Sequence, residues 1–489
     1  MHKAPLAAVV GRGKLPLGLK LRYAAGGMVE GVINNALPTF LLFYVTSVVG
    51  MSGALAGLAI AIGTIVDALL DPLIGSRSDN LHTRLGRRLP FMLAGLPIAA
   101  VTLVLTFALP SSWPEPLLFT WLTLVSIVLR TSLSLYGIPY QAVAAELTED
   151  YTERSNIMAL RWGAGLVAGL FTVAIGFNLF FVGEGGLSKA VAYLPFGVTI
   201  ATLATLAGAM GCWAVYQSRN LQHQPVADSD YGGLRVFREV GEVFKNPSFR
   251  ALASAALLLL SSLSFHQGLG IHAGTLFWRL EESQLQILPL VTLVGLVFGT
   301  PLSAPLSKRF GKRSVAIVGF STLFLTYLLP PTLRVTGLLP LEGMALVSLL
   351  AVNAFIVGAL MSAAVIAVSS MLADATDEHE YLFGARREGL YFASWLFAGK
   401  TAGGLGVLGA GLILQFVNFP TSAADVAARV VSAQSLTQFG LFYGLVPGVL
   451  ALGSVIAMLF YRLTAAKHSA IVDELHIRRG ERQHADLET

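Results

Sequence analysis

Twelve long apolar runs follow one another along the chain, near 23–46, 51–76, 89–110, 115–140, 157–181, 190–215, 250–277, 284–306, 314–332, 340–372, 387–415 and 438–462. A bilayer core takes roughly 20 helical residues to cross, and lipid offers no partner to an open backbone, so each run is expected as a spanning helix. The expected fold class is therefore an all-α membrane protein of twelve transmembrane helices. Runs 7 and 10 have the least determined ends, because FHQGLGIHAG weakens one and the other is too long for a single straight crossing. Only 12% of the residues are charged and mean hydropathy is +0.69, against about 25% charge in a soluble domain, which excludes a soluble enzyme. The first run is too long for a signal-peptide core and is expected to stay as the first span.

The 33 Lys and Arg set the orientation. With both termini on the cytoplasmic side, 26 of them fall inside: Arg154 after run 4, and clusters in 1–22, SRSDNLHTRLGRR, SKRFGKR, ARRE, the segment between runs 6 and 7, and the tail. Lys189, Arg279, Arg334 and Arg429 fall outside, and Arg130, Arg161 and Lys400 lie within spans. The basic residues sit between apolar runs rather than along one face, so the formal charge of +5 reports membrane orientation and implies no nucleic-acid partner. The expected organisation is a cytoplasmic segment 1–22, a six-helix bundle 23–215, a cytoplasmic linker 216–249 with the amphipathic stretch LRVFREVGEVFK, a second six-helix bundle 250–462 and a cytoplasmic tail 463–489. The loops GSRSDNLHTRLGRR and APLSKRFGKRS echo each other after runs 2 and 8, as a duplicated architecture would. A single cysteine, Cys212, excludes a disulfide framework and a multi-cysteine metal site.

Charged groups in a span are costly unless paired or wetted, and they mark polar pathways. Asp67 and Asp71 in IVDALLDPLIG are four residues apart, hence about 6 Å apart on one helical face. Two carboxylates at that spacing repel unless one holds a proton or both share a cation, which is the chemistry of a coupling-ion site for a proton or a sodium ion. Pro72 donates no helical hydrogen bond and can kink this helix or free a carbonyl ligand. Lys400, deep in run 11, needs an anionic partner, for which Asp67 or Asp71 in the opposite half is the candidate. Arg161 lies within a turn or two of the inner end of run 5, Arg130 lies deeper in run 4, and Glu30 shares a face of run 1 with Asn34. These four, with Tyr136, Tyr140, Trp162 and Trp395 as flat surfaces for a sugar or apolar substrate, form the candidate substrate pathway. His266 and His272 are read as polar packing residues, without the clustered partners of a structural metal site. No arranged Ser/His/Asp group, H-E-x-x-H or P-loop is present, so no enzyme activity and no cofactor beyond the coupling cation is expected. A nontransporting membrane receptor is the distant alternative.

The segment DALLDPLIGSRSDNLHTRLGRRLPF resembles the glycoside-pentoside-hexuronide:cation symporters of the major facilitator superfamily, the melibiose-permease type. GIPYQAVAAELTEDYTERSNIMALR and SSMLADATDEHEYLFGARREGLYFASWLFAGKTAGG carry the same resemblance, which covers about residues 20–462. It implies two six-helix bundles in the major facilitator fold, alternating access, a functional monomer among membrane lipids and residence in a bacterial inner membrane. It also implies that Asp67 and Asp71 contribute to a cation site, that Lys400 couples to them, and that Arg161 lies near the sugar. In the melibiose-type pattern two acids bind galactoside hydroxyls, and the matching places here are Gly31 and Gly137, unless a one-residue slip brings Glu30 into that role. The resemblance implies a sugar or glycoside substrate that is not a simple galactoside. The same broad group is similar to vertebrate lysophospholipid transporters, so an amphipathic lipid is the alternative substrate. Leu70, between the two aspartates, offers sodium no oxygen and favours a proton.

Overall fold

The computed structural model describes residues 15–81, 83–144, 146–148, 150–183, 185–219, 241–384, 388–420, 423–428 and 430–487. It contains twelve helices long and apolar enough to cross a membrane, and no strand occurs among the described residues. They are α1 (Leu17–Val48), α2 (Gly53–Asn80), α3 (Leu89–Thr106), α4 (Glu115–Ala144), α5 (Thr152–Phe180), α6 (Ala190–Gln217), α7 (Pro247–Gly268), α8 (Glu282–Phe310), α9 (Lys312–Val335), α10 (Gly343–Phe383), α11 (Leu390–Phe416) and α12 (Ala433–Leu459). A polar helix comes next as α13 (Ala465–Leu487). Residues 1–14, most of the 216–249 linker with the first part of LRVFREVGEVFK, and Arg386 and Arg387 of ARRE lie outside the described residues.

Runs 7 and 10 depart from their expected ends. Helix α7 stops at Gly268, and one short turn, Gly270–His272, leads into a π-turn at Ala273–Phe277. Two glycines within three residues raise the backbone entropy that an unbroken helix would have to overcome. Helix α10 is one helix of 41 residues running past the apolar stretch to Phe383. Met371, Leu372, Ala375, Glu378 and His379 are buried along it, so the helical period continues where hydropathy falls. Gly384 ends it in the left-handed region, with its N–H on the Glu380 carbonyl.

Helix α1 is segmented as well. Gly27 separates Leu17–Gly26 from Met28–Ala36, and π-turns occur beyond it at Leu37–Leu41, which contains Pro38, and at Tyr44–Val48. A further π-turn ends α5 at Gly176–Phe180. Each inserts a residue into the helical ladder and rotates the next turn about the helix axis.

The chain divides into two compact units. The first takes the described residues of Met1–Tyr231, Ser264–Gln286 and Val407–Phe439, and the second those of Gly232–Leu263, Ile287–Gly406 and Gly440–Thr489. In the first, an aromatic cluster fixes α1 against α6: Phe40 meets Phe196 edge-on at 5.1 Å, and Tyr44 stacks on Tyr193 at 4.3 Å. Arg88 reaches Asp79 at 3.2 Å and Glu146 at 2.8 Å, and Arg87 also binds Glu146, which ties the α2–α3 loop to the end of α4. Burial draws the Arg88 guanidinium below its ordinary range, and the Glu146 charge opposes that shift. Asp150 caps α5, its Oδ1 accepting from the Glu153 N–H at 2.6 Å.

In the second unit, α8 and α10 touch backbone to backbone. A Cβ on Gly299 would lie 2.0 Å from the Ala359 carbonyl oxygen, and one on Gly358 2.0 Å from that of Thr292. Phe249, Phe320, Met371 and Tyr391 form its core together with Ile471 and Leu475, one turn apart on α13. Lys467 bonds Glu378 and His468 bonds Asp377, each at 3.0 Å, which seats α13 on the extended end of α10.

Candidate functional site

The expected site residues gather mainly in the first unit, along one face of α4. Arg130, Ser134, Gly137 and Gln141 succeed one another at helical spacings of four, three and four, so they share a stripe. Its two ends meet different partners.

At one end lies the aspartate pair of α2. A Cβ on Gly63 would sit 2.6 Å from the Ser126 Cβ, and one on Gly75 lies nearest Ile138, at 3.8 Å. Both pairs are offset by 63 residues, so α2 and α4 run parallel in a constant register. That register puts Asp67 level with Arg130 and Asp71 level with Ser134. Asp67 is buried, its Oδ1 accepts from the Ser134 hydroxyl at 2.7 Å, and it lies within electrostatic reach of Arg130. Asp71 and Arg130 are partly buried. Pro72 leaves α2 continuous to Asn80, while denying the Ala68 carbonyl its usual helical donor.

At the other end Glu30 joins three helices. Its Oε1 accepts from Gln141 Nε2 at 2.7 Å, and its Oε2 lies 3.8 Å from Arg161 Nη1. A Cβ on Gly137 would come 2.7 Å from Glu30 Oε1, so the glycine makes room for the carboxylate. Gly31 instead faces α5, where a Cβ would meet the Gly165 carbonyl oxygen at 2.1 Å. The acid of α1 that reaches this corner is therefore Glu30. Asn34, one turn further along α1, is exposed. Arg161 is buried almost three turns into α5, deeper than a residue near the helix end would be. Its guanidinium carbon lies 5.3 Å from the Trp162 ring and 5.9 Å from that of Tyr140. Trp162 is 64% exposed.

Tyr136 and Tyr140, expected on the substrate pathway, are fully buried. The Tyr136 hydroxyl donates to the Gly26 carbonyl at 3.1 Å and that of Tyr140 to the Tyr23 carbonyl, while Tyr23 returns a 2.7 Å bond to the Tyr140 carbonyl. These tyrosines fasten α4 to α1, because a phenol buried among apolar groups takes the nearest carbonyl. In the second unit, Trp395 packs against the apolar core and Lys400 is partly buried near the middle of α11. Ser134 and Gln141 are the additions to the sequence reading. Their helical spacing from Arg130 is the signal that could have found them.

The first unit also contains a seam between its chain segments. His272 bonds Thr46 Oγ1 at 2.9 Å, and Asn178 and Gln286 exchange side-chain bonds of 2.7 and 3.2 Å. Gly53 and Gly411 cross with backbones touching: a Cβ on Gly53 would lie 2.4 Å from the Gly411 carbonyl oxygen, and one on Gly411 2.1 Å from that of Gly53.

Comparison with known proteins points the same way. The family model described as MFS/sugar transport protein matches residues 22–465. The isoprimeverose transporter of Lactiplantibacillus pentosus is 26% identical, covering 96% of this chain and 93% of its own. The putative glycoside/cation symporter YagG of Escherichia coli (strain K12) is 25% identical, covering 93% and 94%. The sodium-dependent lysophosphatidylcholine symporter 1 of Mus musculus is also 25% identical, covering 84% and 80%. Among solved structures, the nucleoside transporter NupG superposes with a TM-score of 0.61 at 14% identity, covering 91% of this chain and 99% of that one, a likeness of fold.

Proposed function

For a chain that belongs to the MFS/sugar transport protein family over residues 22–465, we propose cation-coupled symport of a sugar or glycoside by alternating access, without enzyme activity. One observation carries the reading: a single face of α4 bears both the aspartate corner and the Glu30–Gln141–Arg161 corner. A helix that moves as one piece links what happens at one end of that stripe to the other. Cation or proton binding at Asp67 and Asp71 stabilises the substrate-ready state. Lys400, the charged partner from the other half of the chain, disfavours the empty, doubly negative site. Coupling of this kind is reciprocal, so substrate and cation tighten each other's binding.

At the substrate corner, Glu30 accepts hydrogen bonds from sugar hydroxyls, Arg161 donates to them, and Trp162 offers an apolar face to the ring. The two bundles 23–215 and 250–462 rock about the linker 216–249, both termini face the cytoplasm, and the carrier works as a monomer in a bacterial inner membrane. The proton is favoured over sodium because Leu70 offers no oxygen between the aspartates. An amphipathic lysophospholipid is the second reading, favoured by the exposed Trp162 and by the lysophosphatidylcholine symporter relative. The test is uptake into proteoliposomes across a panel of glycosides, pentoses, hexuronides and lysophospholipids, under separately imposed proton and sodium gradients. Gradient-driven uptake of a glycoside that fails in Asp67→Asn is the expected result. Uptake that persists undiminished in that variant refutes the coupling role.

A further inference from the structure

We propose that Glu30 and Arg161 form a charge-matched clamp for one sugar hydroxyl, in which Glu30 denies Arg161 to a sugar carboxylate and so selects an uncharged glycoside or pentoside over a hexuronide. The inference rests on the sugar reading above and narrows its substrate class. The two groups face each other without meeting: Glu30 Oε2 and Arg161 Nη1 are 3.8 Å apart, too far for a hydrogen bond. Glu30 is held back by its other oxygen, which accepts from Gln141 Nε2 at 2.7 Å. Arg161 is held by its stem, since a Cβ on Gly27 would lie 2.9 Å from Arg161 Cγ, and by the nearby rings of Tyr140 and Trp162. Its side chain is buried, and its Nε and Nη1 have no hydrogen-bond partner among the described residues. Glu30 and Trp162 keep the corner partly open, and Gln141 is exposed beside it. A buried guanidinium with idle donors next to a carboxylate oxygen is a polar gap suited to a ligand group.

The width of the gap decides what fits. Two hydrogen bonds of about 2.8 Å drawn from the ends of the 3.8 Å base meet at an angle of about 85°, and opening the base by about 0.8 Å brings that angle to the tetrahedral value. An atom at the apex has to accept from Arg161 and donate to Glu30. A hydroxyl does both. A carboxylate accepts from Arg161 but carries no proton for Glu30, and it brings one anion against another. An ammonium donates to Glu30 but has no lone pair for Arg161, whose like charge repels it. Arg161 by itself is the planar fork that a hexuronide carboxylate would seek. With Glu30 opposite, that charge is already matched, so a hexuronide loses its anchor while a hydroxyl keeps both of its bonds. Selectivity here comes from the repulsive member of the pair.

The test is uptake of matched pairs into proteoliposomes of the full-length protein, under an imposed proton or sodium gradient. The pairs are methyl and phenyl glucosides and galactosides, each against the hexuronide that differs only by a carboxylate at the sixth carbon. The wild type is expected to prefer the uncharged member by about tenfold or more. Glu30→Gln leaves Arg161 uncompensated and is expected to raise hexuronide uptake by about fivefold or more while uptake of the uncharged member falls. Adding Arg161→Gln to it is expected to remove that gain. A purely structural role for Glu30 would lower both members of a pair alike. Glu30→Asp keeps the charge and is expected to keep the preference, which covers the case in which Glu30→Gln does not fold. Equal uptake of the two members by the wild type or by Glu30→Asp overturns the clamp and leaves the sugar reading standing. So does a folded Glu30→Gln that takes up no more hexuronide than the wild type. Uptake of no member of any pair, by protein of verified fold and orientation, overturns both.

Discussion

Replacing Gly411 by alanine tests whether the seam between α2 and α11 must close during transport. The added Cβ would lie 2.1 Å from the Gly53 carbonyl oxygen and 2.9 Å from its carbon, where real contacts stay above 3.0 Å, so the two backbones must part by about 1 Å. Both atoms belong to helix backbone, and no side-chain rotation relieves the clash. Overpacking of this kind costs about 1–3 kcal/mol. A state in which the seam is open does not bear that penalty, so the equilibrium moves toward it by roughly 5- to 150-fold. Leu414, 3% exposed and in contact with Gly53 at the same crossing, provides the probe. In a Cys212→Ala background, a cysteine at Leu414 is shielded from a membrane-impermeant maleimide while the seam is closed. Gly411→Ala is expected to raise its labelling rate by that factor and to slow gradient-driven uptake. Gly75→Ala, whose Cβ meets only Ile138 at an ordinary 3.8 Å, is expected to change neither. Labelling within twofold of the parent together with undiminished uptake in Gly411→Ala would refute the reasoning.

Glu30→Gln removes the charge facing Arg161 and is expected to raise the KM for transported sugar about tenfold or more, with Glu30→Asp intermediate in a concentration series of uptake. Gly137→Ala pushes a methyl toward Glu30 Oε1 at 2.7 Å; the carboxylate can swing, so a few-fold rise in KM at unchanged kcat is expected from the same assay. Glu146→Gln leaves Arg87 and Arg88 side by side without their shared carboxylate. It is expected to destabilise the fold by about 3 kcal/mol, more than Arg87→Gln does, as read from denaturant unfolding in detergent. Leu475→Asp places a charge in the core where α13 docks and is expected to release residues 465–487 to limited proteolysis while the spans stay folded.

The count and place of the spans were legible because lipid imposes one pattern, length and apolarity, that a sliding window reads directly. The ends were less legible where two rules competed. At Asp374 the hydropathy of run 10 falls, yet the helical period of Met371, Ala375 and Glu378 carries α10 onward. At Gly268–Gly270 the apolar run continues while the α-helix does not. Asp67 and Asp71 stood out because an acid in a span is rare. Their neighbours on α4 did not, since a serine or a glutamine in a span draws no notice until the stripe from Arg130 to Gln141 is counted. Tyr136 and Tyr140 could not be assigned from sequence, because a tyrosine that clamps two helices and one that faces a ligand have the same local surroundings. Whether Gly31 or Glu30 turns toward α4 depended on helix rotation, which sequence does not give: Gly31 presses against Gly165 of α5, and Glu30 meets Gln141 of α4.

Helix α10, at 41 residues, is about 60 Å long, twice the thickness of the hydrocarbon it crosses. A rod of that length acts as a lever. If it tilts by about 10° around its midpoint, each end sweeps roughly 5 Å, more than any turn nearer the pivot. Helix α13 is fastened to that far end through Lys467 and His468, so it would ride on the lever like a pointer on a dial. A dye attached to α13, outside the bilayer and away from every ligand-binding group, would therefore register each tilt of a helix buried inside it.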